Sequence, residues 1–329
     1  MKEKTAGASG VIGFSHYKTC SEYEDLNDID TFLCNAPFII EVLPDQWMSI
    51  TDLQILKRIG IFNVDKMRCI QLMDPEFNMK NKLLGKRMMA NAEAANAIQS
   101  DQFGGRKKHK AINACLNKVL INDIFRQKRH AAAFGMADAR GCFDRICHTI
   151  GILVLLSFGL CSDHARILFE VLQLARHRIK TGFGVSEYYA YGIEDEVPVM
   201  GTGQGNGNGM CLWTLISSKM IEVMKKRGLG VNLRSSLSLT LISVVCFAFV
   251  DNTDLPMSAP TRTTTGEELQ PLFQAELDCW SGLLTVTGGE LDPQKSWCYI
   301  IDFEFDGNKW VYRKIENMEG EYTLTDKNG

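Results

Sequence analysis

The chain has 329 residues and a formal net charge of −3, with 45% apolar and 23% charged residues. This length can bury a sizeable core, and the composition excludes wholesale disorder. The longest apolar runs, 150–160 and 239–250, are too short to span a bilayer, and the 11 cysteines show neither a CxxC pair nor zinc-finger spacing. We therefore expect an intracellular protein with reduced thiols and no membrane contact. Nuclear and cytoplasmic residence both stay open.

Helical and strand patterns follow one another irregularly, which favours an α+β fold over a doubly wound parallel sheet. Periodicity predicts helices near 29–42, 81–98, 111–128, 146–156, 162–175, 210–226 and 267–285. It predicts strands near 67–72, 133–137, 177–182, 187–191, 239–250, 297–305 and 309–313. The strand at 239–250 is expected to enter a tight hairpin at Asp251.

A strongly basic stretch lies between Gln102 and His130. It contains eight Lys or Arg residues against one acid, Asp123, which gives a local balance of +7. Phosphate backbones favour such a stretch because binding releases counterions. Taken alone, a charge run of this kind is more often the solvated face of a helix, so both interpretations stay open.

Two aspartates each follow a short apolar strand: Asp138 in FGMADARGCFDRI and Asp251 in CFAFVDNTDL. Carboxylates in such positions can hold Mg²⁺, which prefers oxygen ligands and shares its coordination shell with substrate phosphates. Two such ions can activate a hydroxyl and stabilise a leaving pyrophosphate. For a single aspartate at a strand end, a turn or helix-capping role is the more common alternative.

The order of the motifs is more informative than any one of them. The chain contains, in order, TAGASGVIGFSHYK, LKRIG, DKMRCIQLM, NKLLGKRMMANAEA, QFGGRKKHKAI, ADARGCFDRI, GTGQGNGNG, AFVDNTDL and GGELDPQKSWCYIIDF. This series resembles the consecutive motifs of retroelement reverse transcriptases of the retrotransposon type, over nearly the whole chain. The resemblance implies a right-hand polymerase in which helices flank an antiparallel palm sheet.

The resemblance also implies a domain organisation. Fingers and N-terminal region would occupy 1–130, interleaved with the palm; the palm with its catalytic motifs would occupy 131–315, and a tail would follow at 316–329. The thumb would be mostly absent. Other domains of an element polyprotein would then be partners of this chain.

Two motifs supply the first candidate site residues. In ADARGCFD, the resemblance implies that Asp138 is the first catalytic, metal-binding aspartate and that Asp144 has a structural role. Phe143 would clash with a ribose 2′-hydroxyl and so select deoxynucleotides, although alone it would be taken for a core aromatic. In GTGQGNG, Gln204 and Gly205 would lie beside the incoming nucleotide and the template base.

The glycine-rich loop at 201–209 admits a second interpretation. A short strand before it and a helix after it are typical of a dinucleotide-binding fingerprint, and hence of a nicotinamide-dependent oxidoreductase. The glycine spacing is not GxGxxG, and no strand ending in an acid follows about 20 residues later. This alternative is therefore the weaker one.

The chain departs from the family at the third catalytic motif, which reads FVDN where relatives carry two adjacent aspartates. Asn252 keeps an oxygen ligand but lacks the negative charge, which weakens metal binding or changes metal preference. Asp254 is not an obvious substitute. The change fits an enzyme that still uses Asp138 and Asp251, and it also fits a decayed copy that only binds nucleic acid.

Basic residues outside these motifs complete the candidates. The segment LKRIGIFNVDKMRCI resembles fingers motifs that meet the incoming triphosphate, through Lys57, Lys66 and Arg68. Ordinary surface charge is the alternative for these three. Arg106 and Lys107 in QFGGRKK would bind nucleic acid, and Lys295 in LDPQKSW would be a catalytic proton donor to pyrophosphate. The aromatic hairpin at 303–312 would lie near the primer end.

The resemblance therefore implies an RNA-directed DNA polymerase that extends a primer 3′-OH with dNTPs on an RNA or DNA template. Its cofactor would be Mg²⁺ or Mn²⁺, held by Asp138, Asp251 and Asn252. An RNA-templated RNA polymerase would share the architecture, but Phe143 argues against it. The alternative from a different class is a catalytically decayed, reverse-transcriptase-like protein that binds nucleic acid.

Overall fold

The computed structural model describes residues 12–192, 199–318 and 321–324. The start of the TAGASGVIGFSHYK segment and the end of the predicted tail lie outside the described residues. The chain forms two compact units, each built from two stretches. The first contains Met1–Ala95 and Phe143–Leu212, and the second contains Asn96–Cys142 and Trp213–Gly329. No helix in the described ranges is both long and apolar enough to cross a bilayer.

Within the described residues, the chain forms eight α-helices and twelve β-strands. The helices are α1 Phe14–Cys20, α2 Glu24–Ile40, α3 Pro75–Ala94, α4 Ala111–Lys128, α5 His148–Ser157, α6 Ser162–Leu174, α7 Gly209–Lys226 and α8 Gly266–Val286. The strands are β1 Ser49–Leu56, β2 Met67–Leu72, β3 Ala132–Asp138, β4 Arg176–Thr181, β5 Gly184–Val185, β6 Val231–Arg234, β7 Leu241–Val244, β8 Phe247–Phe249, β9 Asn252–Ser258, β10 Trp297–Ile301, β11 Phe303–Phe305 and β12 Trp310–Tyr312. The mixture of helices with antiparallel and mixed sheets confirms the predicted class at the level of a mixed α/β fold.

The first unit contains a four-stranded sheet in the order β2-β1-β4-β5, in which β1 pairs antiparallel with β2 and parallel with β4. Helix α3 begins six residues before its predicted start because Asp74 caps it. The Asp74 side chain accepts hydrogen bonds from the backbone N–H groups of Glu76 and Phe77, and Pro75 occupies the first turn. The rings of Trp47 and Phe77, both fully buried, lie 5.3 Å apart and form part of this unit's core.

Strand β1, which the sequence patterns do not predict, carries a buried polar cluster. Asp52 and His177 are each 1% exposed, and the Asp52 carboxylate bonds to His177 Nδ1 at 3.1 Å and to the Tyr191 hydroxyl. The Tyr191 ring stacks on His177 at 4.3 Å. Because Thr51 and Asp52 are both buried, the strand lacks the apolar alternation by which strands are identified.

The second unit is built around an antiparallel sheet in the order β10-β3-β9-β8. Successive side chains of β3 point to opposite faces of this sheet. On one face, Phe134 packs with Phe125 of α4 and Phe247 of β8. On the other face, α8 lies so close that a Cβ at Gly135 would be 2.9 Å from the Phe273 ring. The sheet is thus enclosed between α4 and α8, with Asp138 at the end of its β3 strand.

Two predicted strands are each divided in the structure. The run at 239–250 forms β7 and β8, which belong to different sheets, because the Val245 N–H donates to the buried carboxylate of Asp101 at 2.9 Å. The run at 297–305 forms β10 and β11, because Asp302 turns its carboxylate to the Gly266 N–H at 2.9 Å. In both cases a buried carboxylate bonds to a backbone N–H that is far away in the sequence.

The predicted strand at 187–191 is wrong. Only Tyr191 makes an isolated bridge there, to His177, and the short strand β5 pairs with β4 instead. Hydrogen bonds from the Ser186 side chain hold this stretch in a turn: Ser186 Oγ accepts from the Ile179 N–H and donates to the Tyr188 carbonyl. Side-chain bonding of this kind competes with strand pairing.

Candidate active site

The antiparallel register of β3 and β9 brings together the sequence-predicted metal ligands. Asp138 pairs directly with Asn252, and the Ala139 N–H donates to the Asp251 carbonyl at 3.3 Å. Directly opposed residues on antiparallel strands lie about 5 Å apart between Cα atoms. Asp138, Asp251 and Asn252 therefore share one end of the sheet, as the sequence predicts.

Asp251 stands in a two-residue turn between β8 and β9, which confirms the predicted hairpin. The preceding residue, Val250, has φ of 60°. A positive φ at the first turn position is typical of a type II′ hairpin, but a β-branched residue rarely adopts it. The turn that presents the carboxylate is therefore conformationally strained.

Lys295 lies against Asp138 and completes the cluster. Its Nζ is 3.1 Å from Asp138 Oδ2 and 2.7 Å from Asp292 Oδ2. The loop that carries it is fastened to β3, because the Asp292 N–H donates to the Asp138 carbonyl at 2.9 Å and the Asp138 N–H donates to Ser296 Oγ at 3.1 Å. The predicted proton donor and the first predicted metal ligand are thus in direct contact.

The charges of this cluster reinforce one another. The hydrogen bond to Asp292 raises the pKa of Lys295, with Asp138 adding to the effect, although partial burial acts against it. Burial alone would raise the pKa of Asp292, but the hydrogen bond from Lys295, its charge and that of Arg140 lower it. Lys295 is therefore protonated and positively charged at neutral pH.

The residues present fit a Mg²⁺ or Mn²⁺ ion that draws part of its shell from substrate. Two carboxylates and the Asn252 amide oxygen are hard oxygen ligands, which these ions prefer. The described part of the chain contains no group of three His, Cys, Asp or Glu suited to a metal, so the protein supplies few charged ligands. The ammonium of Lys295 already lies against Asp138. Asp254 is engaged elsewhere, by Lys118 Nζ at 2.5 Å.

Within the first unit, the glycine-rich loop lies against the segment that follows ADARGC. The Gly201 N–H donates to the Ile146 carbonyl. Gly201 has φ of 82°, and a Cβ at this position would overlap the backbone of Asp144, so only glycine fits here. Gly205, with φ of 126°, lies against the Gln71 carbonyl in the same way. The glycines thus allow close approach of backbone to backbone. Val199 and Met200 before the loop are not in a strand, unlike the dinucleotide-binding alternative.

Gln204 is held by two partners of the same unit. The Asp144 carboxylate accepts hydrogen bonds from the backbone N–H and the side chain of Gln204. The Gln204 carbonyl in turn accepts a hydrogen bond from the Gln71 N–H at 2.7 Å. Lys57 is close enough to attract the Asp144 carboxylate. The structure thus brings Lys57 and Gln204 to Asp144, next to the half-buried Phe143.

The three predicted triphosphate contacts lie at one end of the β1–β2 hairpin. Lys57 follows β1, Lys66 precedes β2, and Arg68 pairs with Ile55 across the two strands. All three basic residues are exposed. A fork of basic side chains at a hairpin end is suited to a polyanionic ligand.

Arg106 and Lys107 lie in the second unit and differ from each other. Arg106 Nη1 donates to the carbonyls of Gln99 at 3.2 Å and Gln102 at 3.0 Å, and so fastens its own loop. The Lys107 side chain is exposed. Of the two predicted nucleic-acid contacts, Arg106 thus bonds within its own loop, whereas Lys107 has an exposed side chain.

Sequence reasoning missed the pair Arg140 and Glu290. Arg140 lies two residues after Asp138, and its Nη1 is 3.6 Å from Oε1 of Glu290, whose side chain is 2% exposed. The Arg140 N–H also donates to the Glu290 carbonyl at 2.8 Å. The period of two along an extended chain was the available signal, because it places residues 138 and 140 on one face.

No family model matches this sequence, and no curated protein matches it. Among solved structures, it is similar to apo telomerase from Candida tropicalis truncated from its C-terminal domain, with 12% identity and a TM-score of 0.45 over 87% of this chain and 57% of that one. Telomerase from Candida albicans, in complex with the TWJ fragment of telomeric RNA, is 11% identical, with a TM-score of 0.49 over 89% of this chain and 48% of that one. The corresponding complex of telomerase from Candida tropicalis is 12% identical, with a TM-score of 0.49 over 81% of this chain and 44% of that one. The chain thus spans about half the length of these structures, and TM-scores below 0.5 do not establish a shared fold.

Proposed function

We propose that the chain is a reverse transcriptase, an RNA-directed DNA polymerase that extends a primer 3′-OH with dNTPs. One observation carries this proposal: Asp138 ends β3, Asp251 lies in the turn that leads into the neighbouring antiparallel strand β9, and Lys295 contacts Asp138. Paired carboxylates that can hold metal ions, beside a proton donor, are suited to nucleotidyl transfer. Specificity for sequence would come from template pairing.

Asp138, Asp251 and the Asn252 amide oxygen would hold Mg²⁺ or Mn²⁺. The ions, when bound, lower the pKa of the primer hydroxyl and neutralise charge on the phosphates. The chain itself supplies the negative charge that collects them, and Lys295 supplies the proton that pyrophosphate takes up on leaving. Asp292 keeps that lysine oriented through its 2.7 Å contact.

Residues of the first unit would select the nucleotide. The half-buried ring of Phe143 would exclude a ribose 2′-hydroxyl, with Gln204 and Gly205 contacting the incoming base pair. Lys57, Lys66 and Arg68 would bind the triphosphate. We likewise assign fingers to 1–130, interleaved with a palm at 131–315.

A cleft of about 420 Å³ in the second unit supports binding of a nucleic-acid strand. Arg126 stacks on Tyr312 and bonds its hydroxyl, and Arg129 lies 5.6 Å from the Trp310 ring. Trp310 and Tyr312 are each about half exposed. Aromatic rings that stack bases beside arginines that bind phosphates are typical of single-strand binding, and this hairpin would contact the primer or template.

One observation favours the alternative, a decayed protein that binds nucleic acid without extending it. Asn252 Nδ2 donates to Asp251 Oδ1 at 3.5 Å, so the amide both replaces a negative charge and occupies one oxygen of the remaining carboxylate. Metal affinity falls on both counts.

Primer extension on an RNA template, in Mg²⁺ and in Mn²⁺, separates the two functions. We expect the wild type to add dNTPs and to reject rNTPs, and Asp138→Asn to reduce extension to background. The matched control is Asp163→Asn, an exposed acid at the start of α6, which should extend normally. Extension by Asn252→Asp alone would establish the decayed protein, and extension by Asp138→Asn at the wild-type rate would refute the assigned site.

A further inference from the structure

The turn that carries Asp251 needs an external restraint. Val250 has φ of 60°, a conformation that a β-branched residue adopts only when its surroundings impose it. The turn follows β8, which has three residues, so its own strand pairing is short. Other parts of the second unit must therefore supply the contacts that fix the position of Asp251.

The segment QFGG, beginning at Gln102, adds to β8 as a parallel strand would. The Phe103 N–H donates to the Ala248 carbonyl at 2.8 Å, and the Ala248 N–H donates to the Asp101 carbonyl at 3.0 Å. Gln102 and Ala248 form the corresponding parallel bridge. This pairing brings the next residue, Gly104, to the turn.

Gly104 is in direct contact with the backbone of Val250. A Cβ at this position would lie closer than 3.0 Å to the Val250 nitrogen, a distance that real Cβ atoms do not reach. The Gly104 N–H donates to Gln102 Oε1 at 2.7 Å, and its carbonyl accepts from Thr214 Oγ1 at 3.1 Å. The glycine is therefore fixed on both sides and cannot move away from the turn.

Trp213 holds the turn from α7. Its Nε1 donates to the Val250 carbonyl at 2.5 Å, and the residue is 2% exposed. One turn further along the helix, Ser217 Oγ accepts from Gln102 Nε2 at 2.5 Å. The helix thus contacts both the turn and the segment that supports it.

We infer that Gly104, Trp213 and Thr214 form a clamp that positions Asp251 for metal binding. The inference rests on the proposed metal site, and it gives the QFGG segment a task other than nucleic-acid contact. Arg106 serves the same clamp, because it fastens the loop through the carbonyls of Gln99 and Gln102. These are positioning residues, since they act on the metal only through Asp251.

Three variants test the clamp in the full chain: Gly104→Ala, Trp213→Phe and the near-isosteric Thr214→Val. Mn²⁺ affinity is measured from the electron paramagnetic resonance signal of the free ion, and hydrogen exchange is followed in the peptide spanning 247–254. We expect Mn²⁺ binding about 10-fold to 100-fold weaker, the range for groups that orient a metal ligand. Exchange in the turn should accelerate in all three variants, and the melting temperature should change least in Thr214→Val.

The controls are Trp280→Phe, a buried tryptophan whose Nε1 has no partner among the described residues, and Gly282→Ala, where a Cβ meets open space. Both should bind Mn²⁺ as the wild type does. If Asp251→Asn loses Mn²⁺ but all three clamp variants keep wild-type affinity and exchange, the clamp is overturned and the polymerase proposal stands. If Asp251→Asn binds as tightly as wild type, the metal site itself is overturned, and the clamp with it.

Discussion

Asp138 and Lys295 meet although 157 residues separate them in the sequence. Their contact depends on Asp292, which raises the pKa of Lys295 and bonds to β3 through its backbone. The lysine side chain is 64% exposed, so its ion pair with Asp138 adds little to the stability of the fold. The contact instead fixes where the ammonium group of Lys295 lies. Substitution of Lys295 can separate the positive charge of its side chain from its ability to donate a proton.

The first prediction concerns that separation. Lys295→Leu should lower the rate of nucleotide addition on the order of 10²-fold, because it removes a general acid. Lys295→Arg should fail to rescue the rate, since a guanidinium keeps the charge but does not give up its proton. Single-turnover primer extension measures both. Lys226→Leu, an exposed lysine paired with Glu222, is the control, and equal rates for Lys295→Arg and wild type would exclude proton donation.

Among the secondary-structure elements, the contact of α8 with β3 governs the stability of the second unit. Gly135→Ala should destabilise the protein by about 1–3 kcal/mol, because the added Cβ would lie 2.9 Å from Phe273 and 3.2 Å from Leu277. Gly282 lies in α8 itself and faces open space, so Gly282→Ala should stabilise the protein by about 0.5–1 kcal/mol through helix propensity. Denaturant unfolding compares the two, and destabilisation by both would mean that α8 does not pack as described.

Glu276 of α8 makes the stability of the second unit sensitive to pH. It is fully buried, neither oxygen has a partner among the described residues, and burial raises its pKa well above the ordinary value. The folded state therefore holds a proton that the unfolded chain has lost. This stabilising contribution is complete below the unfolded pKa, about 4.3, and is lost as pH rises through the folded pKa.

We accordingly expect the free energy of unfolding to fall by about 1.4 kcal/mol per pH unit between those two pKa values on account of Glu276. Glu276→Gln should lack this decrease and gain relative stability at pH 8. Urea unfolding at several pH values from 5 to 8 measures it, with the exposed Glu316→Gln as control. Parallel pH profiles for Glu276→Gln and wild type would contradict the prediction.

Local patterns predicted the elements whose causes are local. The strand at 67–72 and the helix at 111–128 have the bounds that the sequence suggests. In the helix, Ala114, Ile121 and Phe125 are buried at helical spacing. The long strand at 239–250 was predicted wrongly, since the bond that divides it joins Val245 to Asp101, 144 residues away. The same holds for the candidate site: motif order suggests Asp138 and Asp251, but no local signal shows that Trp213 bonds to Val250.

At the scale of the molecule, each compact unit is assembled from two separated stretches of chain. Strand β3 lies in the stretch Asn96–Cys142, whereas its neighbours β9 and β10 lie beyond Trp213. Asp138, Asp251 and Lys295 belong to the second unit, and Phe143, Gln204 and Lys57 belong to the first. The proposed metal ligands and the proposed nucleotide contacts therefore belong to different units.

This arrangement predicts how fragments fold. A fragment of residues 1–212 keeps the whole first unit but removes every strand that pairs with β3. Hydrogen exchange should show protection in β1, β2 and β4 and none in β3, because an unpaired strand leaves its N–H groups to water. The fragment 1–95, which also lacks β4, is the control and should show no cooperative unfolding. Protection of β3 in the longer fragment would contradict the described sheet.

The ammonium group on Asp138 has a consequence for how a divalent ion would enter. Such an ion would exchange with a tethered monovalent one, so its measured affinity is a difference between two binding free energies. The exchange would also free Lys295 from one of its two carboxylates, with Asp292 left as its anchor. Binding of the divalent ion and release of Lys295 from Asp138 would then be a single event.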